Sequence, residues 1–343
     1  MTSAKVLVIG SAHLDILAEF DDTNQENAVD KIGSGVNFGI GGTAINIAAW
    51  LQELEHKPYL LTAINKASFT GQAVLNALRA GRLSQKYILD DPKLRDSAFV
   101  AAVSNKRLHS AISCMGVAES RRLIGRLEAT IPQFHWVVFD CNLSRGAIEK
   151  IAEICQRRHI HAVGAATSDT KATRLTVTRP YGTRALCMNR HEANALTKEL
   201  GLPDGELREL RTALNTKTLL VTAGDEGWHL AEEDDVTQYK GPEGIVPETD
   251  IGAGDAACAG LVHALAQGES IQDTVNGMAG DALRSRLPTS FAERISADAL
   301  RKFVRNRRKY RIILGVLGIV AVATLGWFVE KILEWLLTQI EMS

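Results

Sequence analysis

Apolar runs alternate with helical periodicity along most of this 343-residue chain. No other feature limits the fold as strongly. Residues 5–10 (KVLVIG) set the pattern. A continuous apolar run ending in glycine reads as a strand buried on both faces, with a turn at its C-terminal end. Similar runs at 58–62, 86–89, 136–139, 160–163, 185–188 and 218–221 read as further strands. Helices fit near 71–80, up to Arg158, up to Leu200, at 253–267 and at 271–287. Such alternation, sustained over about 290 residues, predicts an α/β fold: a doubly wound parallel sheet with helices on both faces. Sheets of this kind bind ligands beyond the C-terminal ends of their strands. Short strands at 16–20 and 36–40, with a hairpin at 96–115, interrupt the pattern as an antiparallel insertion. That insertion reads as a lid or an interface.

The stretch Thr249-Asp250-Ile251-Gly252-Ala253-Gly254-Asp255 runs into an apolar segment at 256–266. Small residues followed by an acid open a helix. Its first N–H groups have no internal partner and can take an anion. A carboxylate beside them can accept a proton from a hydroxyl. Anion hole and base on adjacent residues are what phosphoryl transfer to an alcohol needs. The competing reading makes Asp255 an ordinary helix cap.

Other candidates are each ambiguous alone. Asp15 follows the first strand and either binds sugar hydroxyls or caps a turn, while His13 reads as packing or hydrogen bonding. Gly41 and Gly42 permit close backbone approach to a ligand, and Asn46 lies one turn into the next helix. Asn189 and Glu192 share a helical face, where they hold a water-coordinated Mg²⁺ or form a capping box. Thr222, Gly224 and Gly227 make either a turn near a nucleotide or a hairpin turn.

Composition narrows the classes. A formal net charge of -1 gives no global attraction to nucleic acid. The five cysteines include no CxxC pair, so a zinc site is not expected. Four of them sit in apolar segments as core thiols, which suits a reducing compartment. Residues 312–329 carry no charge and reach about 27 Å as a helix, close to a bilayer core. Arg301, Lys302, Arg305, Arg307, Arg308, Lys309 and Arg311 precede them. This predicts a single-pass membrane protein with its globular body in the cytoplasm. The expected division is a body at 1–300, a basic segment at 301–311, and a transmembrane helix with a short tail at 312–343.

Taken in order, these motifs resemble the ribokinase, or PfkB, family of carbohydrate and nucleoside kinases across about residues 5–300. The carriers are Gly-Ser-x-x-x-Asp ending at Asp15, Gly41-Gly42 with Asn46, Asn189-x-x-Glu192, Thr222-x-Gly224-x-x-Gly227, and Gly252-Ala253-Gly254-Asp255. The resemblance implies an ATP-dependent kinase using Mg²⁺. Asp255 is then the base, and the N–H groups of Gly252, Ala253 and Gly254 form the anion hole. Asp15, Gly41, Gly42 and Asn46 hold the acceptor sugar. Asn189 and Glu192 organise Mg²⁺ and phosphates through water, and Thr222, Gly224 and Gly227 line the ATP side. The insertion becomes the family's β-sheet lid, through which a homodimer can form. Asp140-Cys141-Asn142-Leu143-Ser144 and residues 168–175 (SDTKATRL) are similar to segments of pseudouridine kinases, which points to a nucleoside acceptor, pseudouridine first. A free-sugar kinase and a membrane-anchored, non-catalytic nucleoside sensor are the alternatives. The chain departs from the family at Thr249-Asp250, where the order is usually Asp-Thr, which leaves dependence on a monovalent cation open. It departs again at 64–71 (INKASFTG), where the usual acids are missing, an absence expected to loosen acceptor binding.

Overall fold

The computed structural model describes residues 4–20, 33–104, 107–233, 235–241, 252–284 and 288, all within one compact unit, 1–296. The expected membrane segment at 312–329, its basic neighbour and Thr249-Asp250-Ile251 lie outside the described residues. Among the described residues no helix is long and apolar enough to cross a membrane.

The chain starts with β1 (Lys5–Ile9), then the antiparallel pair β2 (His13–Phe20) and β3 (Gly33–Gly41). Next come α1 (Thr43–Glu53), β4 (Lys57–Ile64), α2 (Phe69–Ala80) and β5 (Ile88–Asp90). A second antiparallel pair, β6 (Ala98–Ser104) and β7 (Arg107–Cys114), precedes α3 (Arg121–Thr130). The alternation resumes with β8 (Trp136–Asp140), α4 (Arg145–Arg158), β9 (His161–Ala165) and the single turn α5 (Asp169–Ala172). β10 (Thr183–Asn189), α6 (Arg190–Glu199), α7 (Leu207–Ala213) and β11 (Thr216–Thr222) follow. β12 (Trp228–Glu232) and β13 (Asp235–Tyr239) form an antiparallel edge, and α8 (Ala253–Gln267) and α9 (Ile271–Arg284) complete the described elements.

Nine strands form the main sheet in the order β13-β12-β11-β10-β9-β8-β1-β4-β5. From β11 to β5 every pairing is parallel. Val6, Leu7, Val8 and Ile9 are fully buried, as a parallel strand covered on both faces requires. Their neighbour Phe139 is also fully buried, and such burial is worth about 2–3 kcal/mol for one aromatic ring. The chain builds outward from β1 through β4 to β5, then returns to β8 on the other side of β1. The strand order therefore reverses between β1 and β8, and a crevice opens there beyond the strand ends.

A four-stranded sheet in the order β3-β2-β6-β7 forms from the pieces expected to make the lid. β2 starts at His13 rather than at Ile16, because β3 pairs with it from His13 and β6 from Leu14. Asp15 consequently lies inside a strand, opposite Gly39 and Phe99, and does not cap a turn. Strand alternation puts His13, Asp15, Phe99 and Ser113 on one face and Ile16, Phe38, Val100 and Ile112 on the other.

Candidate active site

One buried carboxylate holds the point where the strand order reverses. Asp140, the last residue of β8, accepts hydrogen bonds at Oδ2 from Ser11 N–H (2.8 Å), Ser11 Oγ–H (2.9 Å) and Ala44 N–H (3.2 Å). Its Oδ1 accepts from Asn142 N–H at 2.9 Å. A buried anion is tolerated only when donors surround it, and here they come from three separate segments. Asp140 thereby ties the end of β1, the start of α1 and the turn after β8 into one knot. Asn142 Nδ2 donates to Ser11 Oγ at 2.8 Å, and Lys171 Nζ donates to Asn142 Oδ1 at 2.7 Å. In the sequence Asp140, Asn142 and Lys171 stand out only through family resemblance. The one independent signal is an acid placed directly at the end of an apolar strand.

The acceptor candidates gather above this knot. Asp15 is fully buried, with Oδ1 3.1 Å from Nε2 of the buried His13, an ion-pair distance. Gly41 ends β3 opposite His13. Gly42 begins α1 with φ 120°, and a Cβ there would lie 2.4 Å from the Ser11 carbonyl oxygen. Only glycine fits so close an approach at that φ. Asn46 is buried in the first turns of α1, and its Nδ2 donates to Asp255 Oδ2 at 2.7 Å. This bond joins residues 209 positions apart and brings an acceptor candidate to the candidate base.

Gly252 enters α8 at φ 93°, a left-handed value, and no side chain caps the helix. The first N–H groups are therefore available to an anion. Gly254 is exposed and Asp255 half-buried at this opening, followed by the buried run Ala256, Ala257 and Cys258. Asp255 thus stands at the boundary between solvent and core, where an incoming hydroxyl can reach it.

Asn189 and Glu192 form a reciprocal capping box at the start of α6. Asn189 Oδ1 accepts from Glu192 N–H (2.9 Å), and Glu192 Oε2 accepts from Asn189 N–H (2.7 Å). Glu192 is buried, and burial raises its carboxyl pKa to about 7. The Asn189 backbone bond opposes that rise, while the charges of Asp169 and Asp255 add to it. Glu192 therefore shares a negative field with the candidate base. Among the described residues no group of three or more His, Cys, Asp or Glu is gathered for direct metal ligation.

Thr222 ends β11 and pairs in register with Asn189 at the end of β10. Gly224 and Gly227 belong to the turn joining β11 to antiparallel β12, closed by Ala223 N–H to Gly227 O at 2.8 Å. The hairpin reading of this motif therefore holds structurally. Arg190 clasps Glu226 in this turn with two bonds, of 2.6 and 2.9 Å, so the Asn189 and Gly224 motifs form one surface. In the segment lacking acids, Ser68 caps α2 by accepting from Gly71 N–H at 3.1 Å. Thr70 then donates to Asp96 at 2.9 Å, just before β6 of the small sheet. Cys141, Cys155, Cys187 and Cys258 are buried free thiols, as expected, and burial pushes Cys155 up to about 12, far from a reactive thiolate.

The sequence matches the family described as pfkB family carbohydrate kinase over residues 3–276. None of the curated proteins matches it. Several solved structures share the fold. An adenosine kinase from Sinorhizobium meliloti is 20% identical with a TM-score of 0.70, covering 85% of this chain and 99% of its own. A Burkholderia thailandensis nucleoside kinase in complex with inosine is 15% identical with a TM-score of 0.66, covering 88% and 99%. Arabidopsis thaliana ribokinase complexed with ribose and ATP is 16% identical with a TM-score of 0.65, covering 86% and 99%.

Proposed function

As a member of the pfkB family of carbohydrate kinases this chain is an ATP-dependent kinase for a small sugar or nucleoside, and we propose that its acceptor is a nucleoside, pseudouridine first. The observation that carries the catalytic assignment is the bond from Asn46 to Asp255 beside the uncapped start of α8. The acceptor oxygen bonds to the terminal phosphorus of ATP as the phosphorus–oxygen bond to ADP breaks. Its proton passes to Asp255. The N–H groups of Gly252, Ala253 and Gly254 meet the charge on the transferring phosphoryl oxygens. Asp15, Gly41, Gly42 and Asn46 hold the sugar, and Thr222, Gly224 and Gly227 line the ATP side.

Kinases of this kind use Mg²⁺, which neutralises phosphate charge when bound. We assign Asn189 and Glu192 to it through water. Their donor set fits: Glu192 is a buried carboxylate whose pKa is lifted to about 7 beside Asp169 and Asp255, and a nearby cation would favour its ionised form. The capping box holds both residues in place for that task.

One observation supports a nucleoside acceptor over a free sugar. The Asp140–Ser144 and 168–175 segments meet through the Lys171–Asn142 bond. They form a polar corner that also touches the lid at Ser113. The test is ATP consumption with Mg²⁺ across a panel of nucleosides and free sugars. Stimulation by pseudouridine and its relatives is expected. A clear preference for ribose or fructose would overturn the nucleoside assignment and leave the kinase intact.

We further propose that residues 312–329 hold the kinase on the cytoplasmic face of a membrane. The uncharged run and the seven basic residues before it support this. Full-length protein should resist alkaline carbonate extraction, whereas release into the soluble fraction would remove the anchor.

A further inference from the structure

We propose that Lys171 is a positioning residue that latches the lid over the acceptor pocket by bridging Asn142 of the body to Ser113 of the outermost lid strand. The proposal rests on the kinase reading of the site but not on which acceptor it takes. Lys171 Nζ donates to Asn142 Oδ1 at 2.7 Å and to Ser113 Oγ at 3.0 Å. Both anchors of this bridge on the body side are rigid. Asn142 is buried and held through its own N–H by Asp140 and through its amide by Ser11. Lys171 sits in the single turn α5, pinned by Lys171 N–H and Ala172 N–H to Ser168 O and by the fully buried Ala172 side chain. Burial is the largest influence on the ammonium and makes it less stable than in water; the Asp140 charge comes next and opposes it, and Arg174 adds a smaller repulsion. A lysine extended into solvent would avoid that cost, so its two acceptors account for where it points.

The lid end of the bridge is the part that needs holding. β7 is an edge strand, paired to β6 on one side. Edge strands open first, because one neighbour supplies all their ladder bonds. Ser113 lies opposite Phe99, and Phe99 lies opposite Asp15. A displacement of β7 therefore reaches, through β6, the strand that carries the acceptor carboxylate. Fixing Ser113 thereby restrains, through Phe99, the strand that carries Asp15.

Lys171→Met, Ser113→Ala, the double variant and Lys171→Arg in the full chain test this. The first measurement is amide hydrogen exchange in β6 and β7 without ATP or acceptor. Loss of one hydrogen bond to an ammonium should speed β7 exchange roughly 3- to 10-fold in each single variant. The double variant should match Lys171→Met, and Lys171→Arg should restore protection in part. The second measurement is steady-state kinetics. The acceptor KM should rise roughly 3- to 10-fold while the ATP KM stays within about 2-fold, since the lost bond acts on the acceptor side. Ser113 is exposed, so its alanine variant does not threaten folding. Unchanged β7 exchange in Ser113→Ala, or additive effects in the double variant, would overturn the latch. Because exchange is read without any substrate, the latch can fail while the kinase and nucleoside readings stand, and the reverse.

Discussion

Glu192→Gln separates the stability of this fold from the charge its site needs. The Glu192 carboxyl moves from 4.5 in the free chain to about 7 in the folded one, chiefly through burial. A folded pKa above the unfolded value means that folding favours the protonated form. That stabilisation is present in full below pH 4.5 and is lost as pH rises through 7. At ~1.4 kcal/mol per pH unit the loss is ~3 kcal/mol. Glutamine keeps the capping box, because its side-chain oxygen still accepts from Asn189 N–H. Without nucleotide or metal, the variant should match the wild type near pH 4 and exceed it by ~3 kcal/mol near pH 8. Urea unfolding at a series of pH values, followed by circular dichroism, measures the difference directly. Turnover with Mg-ATP should fall in the same variant, because the charge that costs stability is the one proposed to hold the cation. A stability difference that stays constant from pH 5 to 8 would refute the reasoning, since it would mean that no buried charge develops at Glu192.

Asp255→Asn should leave ATP binding largely intact and lower turnover by about 100-fold or more, and near wild-type turnover would remove Asp255 as the base. Gly42→Ala places a methyl 2.4 Å from the Ser11 carbonyl oxygen at φ 120°. It should destabilise the protein by ~2–4 kcal/mol, visible as a lowered Tm, and an unchanged Tm would show that the α1 start can shift freely. Behind the site, Ala4 N–H donates to His56 Nδ1, so His56 Nε2 carries the proton and donates to His263 Nδ1 at 2.9 Å. His263 Nε2 then donates to Glu269 at 3.2 Å. Burial, then the His263 charge, lowers His56 to about 4 from 6.5, so its contribution is present above pH 6.5 and lost as pH falls through 4. His56→Gln should flatten the loss of stability across that window, and an unaltered acid limb in unfolding experiments would dismiss the assignment.

The strands of the main sheet were legible because burial on both faces leaves a continuous apolar run. β1, β4, β8, β10 and β11 fall where residues 5–10, 58–62, 136–139, 185–188 and 218–221 place them. β13 carries no such mark, since Asp235, Val236, Thr237 and Gln238 are exposed at the sheet edge. α3 was missed because Leu123, Leu127 and Thr130 alone are buried on it, about one residue per turn. Asn189 and Glu192 show a different limit. Their spacing suits a capping box and a water-mediated metal site equally, and the folded chain forms the box.

What the sequence determined by itself was the α/β alternation, the lid strands, and the uncapped helix start with Asp255 beside it. These are local properties: burial period, turn residues and helix-terminal donors act over a few positions and leave a pattern in the residue order. Only the tertiary structure decided that Asn46 holds Asp255, that Asp140 knots three segments together, and that Lys171 reaches Ser113. Each is a hydrogen bond made by a side chain to a group that the fold brings beside it. Such a bond needs two compatible polar atoms about 3 Å apart, and it imposes no periodicity on the intervening chain.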